Sequence, residues 1–85
     1  MDDKHKMKLV LGRKKAYLKR CIRVIQLLEE HETPESVRLR VFQNHIKPEV
    51  RVSYAQFNNM LNEPNPHRQL EQVEERIQTL KNSIL

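Results

Sequence analysis

VSYAQFNNML, Val52 to Leu61, reads as a short helix whose start is specified twice. Ser53 can cap it, and Gln56 three residues later completes an S-x-x-Q capping box. Val52 before the cap and Phe57 four residues after it are placed as a hydrophobic staple that fixes the entry angle. The 3.6-residue period puts Phe57, Met60 and Leu61 on a core stripe and Ala55, Asn58, Asn59 and Asn62 opposite, with Tyr54 and Gln56 flanking the polar side. Asn is a poor helix former because its side chain competes for backbone hydrogen bonds, so a cluster of them calls for an explanation. Asn and Gln amides can pair bidentately with adenine edges in the major groove; a solvated surface near a helix end is the plainer alternative.

Moving outward, the rest of the chain reads as helical. Only one Gly, four Pro, 32% charged and 5% aromatic residues among 85 favour an all-α class over a β sandwich or a disordered tail. A chain of this length suits one domain with one core and leaves little room for a deep catalytic cleft. The first helix is expected from Arg13 to His31, with Leu18, Cys21, Ile22, Ile25 and Leu28 as its apolar stripe. The second is expected from Thr33 as cap and Pro34 at the first position to Ile46, burying Val37, Val41, Phe42 and Ile46 and ending at Pro48. Pro64 and Pro66 stop the Ser53–Asn62 helix. From Pro66 to Leu85, Leu70, Val73, Ile77, Leu80 and Ile84 recur at spacings of three and four, an a/d seam that can dock on its own core or on a second copy.

Charge is uneven. Residues 1 to 23 carry nine Lys or Arg against Asp2 and Asp3, a balance of +7 in a chain whose total is +5. Residues 1–12 read as a basic flexible arm suited to a polyanion, ahead of a single helical domain over 13–85. The single Cys21 permits no internal disulfide, so a reducing compartment, the cytoplasm, is the expectation. No transmembrane run and no signal-peptide core are present in the sequence. His5, His31, His45 and His67 are scattered with no ligand spacing, and neighbouring carboxylates such as Glu74 and Glu75 point in different directions on a helix. No metal, cofactor, small-molecule substrate or enzyme activity is therefore expected.

The order of a long helix, a second helix, a connector, the capped VSYAQFNNML helix, a Pro-containing loop and a final LEQVEERIQTL helix resembles the lambda-repressor-like helix-turn-helix family. Val52 and Ser53 match the entry of that family's recognition helix, Phe57 takes its aliphatic position, Met60 and Leu61 the closing apolar pair, and LNEPNP its post-helix turn. The stretch VRLRVFQNHIKPEVRV lacks the Gly and the roughly three-residue spacing usual there, which suggests a longer scaffold helix, an enlarged turn, or a winged or excisionase-like variant. The resemblance implies a four- to five-helix DNA-binding regulator, a repressor of the phage or mobile-element kind, acting in a bacterial or phage-infected cell. By that likeness Tyr54, Ala55, Gln56, Asn58 and Asn59 would face base edges. Arg38, Arg40, Lys47, Arg51, Ser53, His67 and Arg68 would meet phosphates of double-stranded DNA. Leu70, Val73, Ile77, Leu80 and Ile84 would join a homodimer, and the basic arm would track a neighbouring groove. The rival expectation is a protein-interaction module or inhibitor docking through the same seam.

Overall fold

A computed structural model of the chain describes residues 3–84, with the side chains of all of these except Lys4, Ser83 and Ile84. Its elements are α1 (Asp3–His31), α2 (Arg38–Val41), a π-helical turn (Phe42–Ile46), α3 (Lys47–Val50), α4 (Tyr54–Leu61) and α5 (Pro66–Ile84). The class is all-α, with no strand among the described residues. None of these helices is long and apolar enough to cross a membrane.

Helix α1 begins at Asp3, so most of the expected flexible arm is helix. Asp3 lies in its first turn, where a carboxylate complements the helix dipole. The run from Lys4 to Leu11 is mostly of residues that lose little side-chain freedom in a helix. Gly12, the only Gly, costs about 1 kcal/mol relative to Ala but does not break the helix.

The second helix starts later than expected. Thr33 and Pro34 open a β-turn instead: the Ser36 N–H donates to the Thr33 carbonyl at 3.0 Å, and Pro34 sits where a β-turn favours it. The Ser36 hydroxyl donates to the same carbonyl at 2.8 Å and accepts from the Thr33 N–H at 2.9 Å. Helix begins only at Arg38, and Val37 caps it with no side-chain hydrogen bond, left 55% exposed rather than in the core. Nor does Pro48 end the helix. The chain widens into the π turn, in which the Lys47 N–H reaches the Phe42 carbonyl, and Pro48 follows in the first turn of α3. An interior Pro clashes with the carbonyl four residues back, and a π turn is one way a helix absorbs such a defect. The helical run stops at Arg51, whose left-handed backbone (φ 55°, ψ 49°) terminates α3.

Two compact units divide the chain: the amino-terminal segment up to Lys19 with the segment from Asn65 onward, and Arg20–Pro64. The expected single domain over 13–85 thus has two cores. In the second unit Cys21, Val24, Leu27 and Leu28 of α1 pack with Val41, Phe42, Ile46, Phe57 and Met60, and Val50, Val52 and Leu61 cover the edge. Val24 and Leu27 are buried where Ile22 and Ile25 are only half-buried. In the first unit Leu11, Leu18 and Val73 form the core, with Leu70, Ile77 and Leu80 packed on it.

Candidate nucleic-acid interface

Three residues, Arg51 to Ser53, separate α3 from α4. A left-handed backbone costs an L-residue on the order of 1–2 kcal/mol, which is why Gly is common at such positions; here Arg51 adopts it. The two helices are therefore joined by a short connector and not by the enlarged turn the missing Gly suggested.

The capping box is complete. The Gln56 N–H donates to the Ser53 hydroxyl at 3.1 Å, and the Ser53 N–H donates to Gln56 Oε1 at 3.0 Å. Val52 packs on the cluster that includes Phe57, as a staple requires. Phe57 is fully buried and Met60 nearly so, which fixes the roll of α4 about its axis.

That roll sorts the base-facing candidates. Ala55 and Asn59, four residues apart on one helical face, are both exposed. Asn58 is half-buried on the flank. Gln56 has spent its amide oxygen on the capping box, so a bidentate amide contact to a base is not open to it. Tyr54 packs edge-on to Phe42 (5.3 Å between ring centroids) and stacks with Phe57 (5.8 Å), which makes its ring part of the α4 wall while 37% of the residue stays exposed.

The charged candidates divide as well. Arg23 of α1 donates to both carboxylate oxygens of Glu49, at 2.6 and 2.9 Å. These hydrogen bonds hold the Glu49 carboxyl below its ordinary range and the Arg23 guanidinium more firmly protonated. The pair lies 26 positions apart, and no local pattern announces it. Its consequence is electrostatic: Glu49, the acidic residue of α3, is neutralised, while the exposed heads of Lys47 and Arg51 make no ion pair among the described residues. Arg38 is drawn 3.7 Å from Glu32, and Arg40 is exposed on α2. The Ser53 hydroxyl is occupied by the cap. His67 and Arg68 are exposed in the first turn of α5, which belongs to the other unit.

The seam residues expected to join a second copy pack within the chain. Val73 is 4% exposed against Leu11 and Leu18, with Leu70, Ile77 and Leu80 around it, and Lys15 lies 4.0 Å from Glu74 beside them. The side chain of Ile84 lies outside the described residues. Docking on a partner protein through this seam would draw on side chains already so engaged.

Elsewhere the imidazoles of His31 and His45 stack face to face, 3.7 Å apart and 3° from parallel. They line a shallow pocket of about 220 Å³ with Glu35, Arg40 and Asn44. Parallel rings aim their lone pairs side by side and not at a common point, and no group of three metal-ligating side chains occurs among the described residues.

No protein-family model, curated protein or solved structure matches this chain.

Proposed function

We propose that the chain is a double-stranded DNA-binding regulator that reads the major groove with α4. In this reading α3, the Arg51–Ser53 connector and α4 act as a helix-turn-helix, with Arg51 in the backbone conformation that Gly usually supplies in such turns. Asn59 pairs with a base edge, Ala55 lies against the groove floor or a thymine methyl, and Lys47 and Arg51 hold the flanking phosphates. Regulation is by occupancy: a site covered by this protein is closed to another.

The observation that carries the reading is the Arg23–Glu49 pair. It offsets the negative charge of α3, and leaves Lys47 and Arg51, which precede α4 in the chain, exposed and in no ion pair among the described residues. The Leu70–Leu80 seam packs against Leu11 and Leu18, and in this reading one copy occupies one site.

The test is selection of duplexes from a random pool by the full chain, followed by affinities of wild type and Asn59→Ala on the enriched site. Loss of one bidentate base contact costs about 1–3 kcal/mol and relaxes preference at one or two positions. An enriched site bound equally by Asn59→Ala would remove α4 from the reading role.

A further inference from the structure

From Lys4 to Leu28 the chain contains no Asp or Glu, and this stretch lies within α1. By formal charge the unit containing its amino-terminal part holds ten basic residues against five acidic ones, whereas Arg20–Pro64 holds six of each. The whole net charge of +5 therefore resides in the unit that does not contain α4. The unit assigned to reading bases is neutral.

Within α1, Lys6, Val10, Arg13, Lys14 and Tyr17 follow the i, i+4, i+7, i+8, i+11 pattern that makes one stripe on a helix. All five are exposed, Val10 at 62%, and the stripe is turned off the line of Leu11 and Leu18 that enters the core. Lys6, Arg13 and Lys14 form no ion pair with any described carboxylate; among the lysines of α1, Lys15 is the one that approaches Glu74. Three cations are thus held on a folded surface with no ion-pair partner among the described residues. A helix is about 10–12 Å across, too wide for a minor groove of about 6 Å. An α1 that is helical from Asp3 cannot thread a groove as a flexible arm would. With the major groove given to α4 in this reading, the cations of α1 would meet phosphates from outside the grooves.

We infer that the Lys6, Arg13 and Lys14 stripe of α1 is a second, sequence-independent contact surface for the phosphate backbone of duplex DNA. It supplies affinity and its salt dependence, while α4 supplies the choice of site. This rests on the DNA-binding reading above. An anionic lipid surface is the other polyanion such a stripe could meet, but an interfacial helix segregates an apolar face from a charged one. Here Val10 stands between cations, and Lys8 and Lys19 lie exposed on another side of the helix, so no apolar face is set apart.

The experiment measures affinity of the full chain for the selected duplex and for random duplex between 50 and 200 mM salt, for wild type and for Lys6→Gln/Arg13→Gln/Lys14→Gln. Each phosphate contact contributes about 0.9 to the slope of log affinity against log salt. Loss of three should make the fourfold rise in salt about 40-fold less damaging to the variant than to wild type. The expected weakening is equal on both duplexes, leaving their affinity ratio unchanged. Lys6→Arg/Arg13→Lys/Lys14→Arg, which keeps every charge, should keep the wild-type slope, and far-UV circular dichroism checks that each variant is folded.

An unchanged slope in the folded triple Gln variant overturns the inference. So does a variant that loses binding to phosphatidylserine-containing vesicles while its DNA slope stays at the wild-type value. If the slope falls as expected but no duplex is preferred over random, this surface stands and the reading role of α4 fails. A preferred duplex with an unchanged slope is the reverse result.

Discussion

Replacing Arg51 by Gly should make the protein more stable and a weaker DNA binder at once. Arg51 holds φ 55° and ψ 49°, a conformation costing an L-residue about 1–2 kcal/mol that Gly does not incur. Gly in turn loses more backbone freedom on folding, about 0.5–1 kcal/mol. The difference spans roughly 0–1.5 kcal/mol, a net gain of about 0.75 kcal/mol at the midpoints, which in a domain of this size raises the melting temperature by roughly 3 to 6 °C. Arg51 is exposed and makes no ion pair among the described residues, so no such pair offsets that gain. Its removal should lower the salt slope of DNA binding by about 1. Arg51→Ala is the companion variant: it keeps the backbone cost, leaves the melting temperature near wild type, and weakens DNA binding to the same extent. Thermal melts by circular dichroism and salt-dependent DNA binding read both effects. A lower melting temperature for Arg51→Gly would refute the left-handed connector, and undiminished DNA binding by both variants would refute the role of its side chain.

Other substitutions test separate parts of the account. Gly12→Ala should stabilise by about 0.5–1 kcal/mol in denaturant unfolding, because a Cβ there meets nothing within 4 Å and the helix gains propensity. Glu49 titrates below its ordinary value of 4.5 when folded, so its contribution is fully present above that pH and is lost as pH falls through the lower folded value. Glu49→Gln should flatten the stability–pH curve in that acid window, and an unaltered curve would contradict the pairing. Val73→Asp places a charge in the core of the first unit and should cost on the order of 3 kcal/mol. With the seam packed inside the chain, the wild-type melting temperature should not vary with protein concentration, whereas folding that depended on a seam dimer would make it rise.

What could be read from the sequence was what depends on neighbours within a few positions. The Ser53–Gln56 box and the Val52–Phe57 staple are decided within five residues, and α4 forms where they place it. Thr33–Pro34 fits a helix cap and a β-turn equally well; the Ser36 hydroxyl turning back on Thr33 decides for the turn. Pro48 looked like a stop because the widened turn ahead of it leaves no mark in residue type. The lysine-rich start looked like an arm because its anchor is tertiary: Leu11 packs with Val73, sixty-two positions away. The a/d seam was visible, but its pattern is the same whether it meets Leu11 and Leu18 or another chain. At the site, Asn59 and Ala55 were legible from period alone and the use of Gln56 in the cap from the S-x-x-Q spacing, whereas the neutralisation of Glu49 by Arg23 joins residues 26 positions apart and leaves no local mark.

The central claim, that α4 enters the major groove, is tested most directly by titrating the ¹⁵N-labelled chain with its selected duplex and following backbone and side-chain amide resonances. The account predicts the largest shifts at Ala55 and Asn59, including the Asn59 side-chain amide, with accompanying shifts at Lys47 and Arg51. Binding that moves only α1 or α5 resonances and leaves α4 unperturbed would contradict it.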